Sequence, residues 1–122
     1  GKYRFIQDDI RQVQLAKSAV RSGIETLMER YGCTADDIKN IYVAGGFSRN
    51  INIKNAATIG IIPKEFTERT KCIGNSALNG AVKYLLNADG DEITEKIKAI
   101  STEITLAEDD LFNDLFIDNI TF

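Results

Sequence analysis

The chain has 122 residues, no histidine, and 15 Lys and Arg against 18 Asp and Glu, for a formal net charge of −3. Its 43% hydrophobic and 27% charged residues suit one folded domain rather than a disordered chain, and no apolar run reaches the roughly 18 residues of a membrane span. Without histidine, an imidazole base, a histidine zinc ligand and a Ser-His-Asp triad are excluded.

The first element is a long amphipathic helix. Gln7-Asp8-Asp9 supplies a polar start, with Asp8 as the expected N-cap. Ile10, Val13, Ala16, Val20, Ile24, Leu27 and Tyr31 recur at steps of three and four and predict the buried stripe. Gly32 fits a left-handed stop. Thr34-Ala35-Asp36-Asp37 reads as a capped turn. Ile41-Tyr42-Val43-Ala44 reads as a short buried strand running into Gly45-Gly46.

Lys54 to Ile59 reads as a short helix punctuated by Gly60 and Pro63. Thr70 to Ile73 predicts a second strand, which runs into Gly74-Asn75-Ser76. The next helix places Ala77, Ala81 and Leu85 beside Leu78, Val82 and Leu86. After the Asn87–Gly90 loop, Ile93, Ile97 and Ile100 mark a further helix. Thr102 to Ala107 predicts a third strand. Glu108-Asp109-Asp110 then opens a last helix, where its dipole favours negative charge.

This order implies an α/β domain with a small, mainly parallel sheet flanked by helices. Residues 1–90 carry 13 basic and 9 acidic side chains, whereas residues 91–122 carry 2 and 9. The acidic end reads first as a solvated face. The basic residues do not cluster, so nucleic acid is not an expected partner. Cys33 and Cys72 form no C-x-x-C pair and read as two buried reduced thiols of a cytoplasmic protein. Adjacent acids at Asp36-Asp37, Asp89/Asp91 and Asp109-Asp110 read as caps rather than as paired catalysts or a calcium loop.

Two strand-to-helix turns contain glycine: Val43-Ala44-Gly45-Gly46-Phe47-Ser48-Arg49-Asn50 and Cys72-Ile73-Gly74-Asn75-Ser76-Ala77-Leu78-Asn79-Gly80-Ala81. In open α/β sheets ligands bind at the carboxyl ends of the strands. Glycine there admits a flat ring or a phosphate, and helix N-termini offer N–H groups to anions. Neither turn is a P-loop or a G-x-G-x-x-G fingerprint.

Together with Asp9-Ile10, Gln14-Leu15-Ala16-Lys17, Ala19, Arg21-Ser22-Gly23-Ile24 and Ile59-Gly60-Ile61-Ile62-Pro63, these turns resemble one family. It is the C-terminal domain of the reductive activators of corrinoid proteins. The resemblance implies a piece of an actin-like ATPase fold, in which two ribonuclease-H-like halves clasp a nucleotide and the first helix links them. It implies that residues 1–122 are a single C-terminal domain of a larger iron–sulfur protein, with Gly1 a cloning remnant. That protein would use ATP to return cobalt(II) corrinoid to cobalt(I), with the corrinoid protein of a methyltransferase system as partner.

On the same resemblance, Gly45, Gly46, Phe47, Ser48 and Asn50 would hold adenosine, with Gly74 and Asn75 flanking it. The family pattern runs Gly-Ala-Phe-Gly where this chain has Gly45-Gly46-Phe47-Ser48. No Asp-x-Gly-x-Thr-like phosphate hairpin and no cysteine cluster occurs. The ATP/Mg site would therefore be incomplete in this chain, its catalytic residues and the iron–sulfur cluster would lie elsewhere, and the chain alone would not turn over. The alternative is a docking or homodimerisation module with a vestigial nucleotide site, motivated by the acidic end and a Phe112/Phe116 stripe expected to be exposed.

Overall fold

A computed structural model describes residues 4–122; Gly1, with its expected cloning origin, lies outside them. In chain order the elements are α1 (Gln7–Tyr31), β1 (Ile41–Ala44), a 3-10 turn (Gly46–Arg49), α2 (Ile53–Thr58), a second 3-10 turn (Lys64–Arg69), β2 (Thr70–Gly74), α3 (Ser76–Leu86), α4 (Gly90–Ile100), a third 3-10 turn (Leu106–Glu108) and α5 (Asp110–Asp118). β1 and β2 pair as a two-stranded parallel sheet, so the class is α/β and helix-rich. The chain divides into two compact units: Gly1–Ile41, Asn52–Thr70 and Thr105–Phe122 form one; Tyr42–Ile51 and Lys71–Ile104 form the other.

The first unit is built on the packing of α1 against α5. The cap of α1 is Ile6 rather than Asp8. Asp9, one turn in, accepts the Ile6 N–H at 3.0 Å, so the reaching carboxylate rather than the residue at the break satisfies the free donor. Gly32 ends the helix at φ 74°, where its N–H meets the Glu29 carbonyl and that of Cys33 meets the Met28 carbonyl, each at 3.0 Å.

The face that α1 buries is not the expected apolar stripe. Lys17, Ser18, Ser22, Gly23 and Thr26 are buried, whereas Val20 and Leu27 are each 48% exposed and Tyr31 is 86% exposed. At about 100° per residue Ser18, Ser22 and Thr26 centre roughly 180° from that stripe, with Lys17 and Gly23 on its margins. Small residues won because they admit a close neighbour: a Cβ on Gly23 would stand 3.4 Å from Leu106 Cδ1. Apart from the Thr26 hydroxyl, the polar side chains on this face find partners. Ser18 Oγ donates to the Phe116 carbonyl and Lys17 Nζ to that of Thr121. Asn119 Nδ2 donates to Ser22 Oγ at 3.2 Å and to Glu25 Oε2 at 3.0 Å.

Asp109 caps α5 by accepting the Phe112 N–H at 3.2 Å, and Arg30 donates to both its oxygens at 2.8 and 2.9 Å. Asp37 accepts the Thr34 N–H at 2.9 Å and ties the 34–37 turn, whereas Asp89 opens α4 without a side-chain cap bond. Phe112 and Phe116 sit with ring centroids 6.0 Å apart and are half-buried, which corrects their expected exposure: their stretch of α5 packs against α1. The rest of the core is Ala56, Ala57, Ile62 and Phe66, contributed by α2 and the segment between it and β2. Arg69 stacks over Phe66 and donates to the Ala35 and Ile38 carbonyls at 2.6 and 2.7 Å.

The expected strand at Thr102–Ala107 is not formed. A strand needs a neighbouring edge for its backbone groups, and these groups bond locally instead. Glu108 N–H meets the Thr105 carbonyl at 3.0 Å, closing the 3-10 turn that sets Leu106 on Gly23.

In the second unit α3 packs on α4, and Tyr84 donates to Asp91 at 2.5 Å. Much of its apolar surface is open: α3 buries no residue, and Leu86 and Ile100 are 81% and 85% exposed. The expected burial of β1 is not found. The strand alternates half-buried and exposed instead, because full burial of a strand needs a packed layer on both faces. The expectation of two buried thiols is also corrected: Cys72 is exposed on β2, where the strand lacks a covering layer, Cys33 is half-buried just past the end of α1, and both are unpaired.

Candidate functional site

The two glycine turns meet at the carboxyl edge of the sheet. β1 runs out through Ala44 into Gly45, and β2 ends at Gly74. The Gly45 N–H donates to the Gly74 carbonyl at 2.7 Å, which extends the strand pairing into both turns. Gly45 has φ 78° and ψ −173°, a region that is essentially glycine-only. Gly74 has φ 65°. The backbone therefore demands glycine at position 45 and favours it at position 74.

Gly46 is different. Its φ is ordinary, and a Cβ built on it meets nothing within 4 Å. Neither backbone angle nor packing within the described residues requires glycine there. Phe47 beside it is 64% exposed.

Ser48 is buried, and its hydroxyl donates to the Gly45 carbonyl at 2.7 Å, bracing the turn from inside. Asn50 closes the 3-10 turn through its N–H to the Phe47 carbonyl at 3.3 Å, and its side chain is exposed. Asn75 caps α3, its Oδ1 accepting the Leu78 N–H at 3.0 Å. Gly45 and Gly74 are thus in direct contact, with Gly46, Phe47, Ser48 and Asn50 on one turn and Asn75 following the other.

The first turn of α3 holds no acidic residue, so its dipole is uncompensated. Arg49, which the motif pattern does not single out, is the one cation in segments 45–50 and 74–75. Its position three residues after Gly46 on a glycine turn is the available signal.

None of the groups with a shifted pKa belongs to segments 45–50 or 74–75. Hydrogen bonds from Thr34 hold the Asp37 carboxyl below its usual range, and Arg30 does the same for Asp109. Donation to Asp91 raises the Tyr84 hydroxyl. Among the described residues no group of three or more His, Cys, Asp or Glu side chains is placed to hold a metal. No described helix is long and apolar enough to cross a membrane. Segments 45–50 and 74–75 thus offer backbone N–H groups, an exposed aromatic ring and one guanidinium, and they hold no acidic residue.

Residues 2–122 match the family model described as the C-terminal domain of RACo, the ASKHA domain. The chain is also 40% identical over 116 residues to the corrinoid activation enzyme RamQ of Eubacterium limosum. That alignment covers 95% of this chain and 20% of RamQ, so the chain spans about a fifth of the length of the curated relative it matches.

Proposed function

Since the chain belongs to the family of RACo C-terminal ASKHA domains, we propose that it supplies part of the nucleotide-binding half of an ATP-dependent activator, one that returns cobalt(II) corrinoid proteins to cobalt(I). The observation that carries this reading is Gly46. It is a glycine that neither backbone angle nor packing requires, on the edge where Gly45 and Gly74 join two strands. Adenosine laid across Gly45-Gly46 would approach the backbone closely, with the exposed Phe47 ring beside it and Gly74-Asn75 along its flank. The N–H groups opening α3 would face its polar side.

The division of labour rests on the residues present. The chain has two cysteines and no histidine, so this reading assigns the iron–sulfur electron donor to another part of the protein. The magnesium ligands and the group that positions water also come from elsewhere, because no acid stands at the turns. ATP would act by binding two shapes of the protein with different affinity, which is how a ligand drives an uphill step in its partner. The cobalt of the corrinoid protein is the substrate and takes up one electron.

Gly46→Val in the full-length protein tests this. The fold has room for the new side chain, so thermal stability should stay unchanged. ATP affinity should fall about ten-fold or more, corresponding to at least ~1.4 kcal/mol of lost contact. ATP-dependent appearance of the cobalt(I) spectrum in the corrinoid partner should fall with it. Unchanged ATP affinity in a folded variant would remove the glycine turns from the nucleotide site.

A further inference from the structure

A concave site lies wholly within the first unit. Its volume is about 310 Å³, near the lower end for small-molecule sites, and Lys17, Arg21, Lys64 and Glu65 line it together with Ala57, Ile59, Gly60 and Phe122. Three cations thus face one carboxylate.

Lys17 is the unusual member. It is 5% exposed, yet among the described residues no carboxylate lies within 4.0 Å of its ammonium. Its contacts are the Thr121 carbonyl and the face of the Phe122 ring, 5.4 Å from the nitrogen. A buried ammonium with three N–H groups and no counterion costs several kcal/mol unless an anion offsets it.

The fold holds this lysine in place. Gly60, at φ 87°, lies over its stem: a Cβ there would stand 3.7 to 3.9 Å from Nζ, Cε and Cδ. Arg21 donates through Nε to Glu25 at 2.5 Å, so its two terminal nitrogens have no partner among the described residues. Lys64 is exposed and likewise makes no ion pair there. Ala57, Ile59 and Phe122 give the cleft an apolar wall.

We propose that this cleft binds a phosphate-bearing small molecule, its phosphate held by Lys17, Arg21 and Lys64 and its organic body set against Ile59 and Phe122. Charge-assisted bonds from a guanidinium and two ammonium groups suit a doubly charged tetrahedral anion. The wall makes a phosphomonoester a better ligand than inorganic phosphate. The site is independent of the glycine turns and of the nucleotide reading.

The test is calorimetric titration of phenyl phosphate and of inorganic phosphate into the full-length protein, with a non-hydrolysable ATP analogue present at saturation. Saturable binding of both is expected, phenyl phosphate the tighter. Arg21→Gln and Lys64→Gln, each a change at an accessible side chain, should each weaken it about ten-fold. Glu65→Gln should tighten it, and Gly46→Val should leave it unchanged. Absence of saturable binding would overturn the proposal. So would an affinity equal to wild type in both cation variants, or one lost only in Gly46→Val.

Discussion

Gly45 and Gly74 face each other across the end of the sheet, the amide of one donating to the carbonyl of the other at 2.7 Å. Each has a positive φ, but the two positions are not equivalent. Gly74 has φ 65°, within the narrow band of positive φ that asparagine also visits. Gly45, at ψ −173°, sits where only glycine is at ease. Gly45→Ala should therefore cost about 1–3 kcal/mol. Gly74→Asn should cost under about 1 kcal/mol. Urea denaturation of the two variants measures the difference, and equal losses would mean that the shared hydrogen bond rather than backbone strain governs the edge.

Thr26 is the counterpart on α1. It is fully buried, and its hydroxyl is the one buried side-chain oxygen or nitrogen among the described residues without a partner. Thr26→Val keeps the shape and removes the orphaned group, so it should be neutral or stabilising by up to about 1 kcal/mol. Ser18→Ala should instead destabilise by about 1 kcal/mol or more, because it strands the Phe116 carbonyl. Thermal melts of both variants should move in these directions. A Thr26→Val variant as damaged as Ser18→Ala would show that the hydroxyl has a use the contacts do not display.

The same helix shows what can be read in the residues and what cannot. Its extent, its Gly32 stop and the strand at Ile41–Ala44 rest on local chemistry, and the structure keeps them. The two glycine turns are also local, so their place at the strand ends is legible. The buried face of α1 is not. Hydropathy selects Val13, Val20 and Leu27, but the C-terminal segment needs Ser18, Ser22 and Gly23 for close approach and for hydrogen bonds from and to its own polar groups. That choice depends on a partner about 100 residues away in the chain. Thr102–Ala107 fails for the same kind of reason, since β-prone residues make no strand without an edge to join. The lysine cleft is invisible as well, because Lys17, Gly60 and Lys64 come together only when the unit has folded.

Two glycines in the second unit make opposite demands. A Cβ on Gly90 would stand 2.7 Å from the Tyr84 carbonyl oxygen and 3.1 Å from its ring, so α4 can pack on α3 only without it. Gly90→Ala should cost about 1–3 kcal/mol by overpacking. Gly80 lies inside α3, where a Cβ would meet nothing within 4 Å. Gly80→Ala should stabilise by about 0.5–1 kcal/mol through helix propensity. Amide exchange across α3 and α4 should speed up in the first variant and slow in the second. Equal behaviour would mean that the two helices are not held by the contact at Gly90.

Asp109 joins two jobs, capping α5 and receiving both nitrogens of Arg30. The Arg30 hydrogen bond is the main cause holding its carboxyl below the ordinary value, and the cap bonds add to the effect. A carboxyl depressed in the folded state binds its proton more readily when unfolded, so stability rises with pH across the gap. The contribution is complete above about pH 4, the ordinary aspartate range, and is lost as pH falls through the lower folded value. Asp109→Asn should therefore lower the melting temperature near neutral pH and flatten its fall in acid, while still capping the helix. Asp109→Ala should melt lower again because the cap goes too. The Asp37 carboxyl is depressed by Thr34 in the same direction, so the remaining acid slope in Asp109→Asn should shrink further when Asp37→Asn is added. Melting temperatures of these variants from about pH 6 to pH 2 give the comparison. An acid slope in Asp109→Asn as steep as in the parent would show that the Arg30 pair contributes nothing to folding.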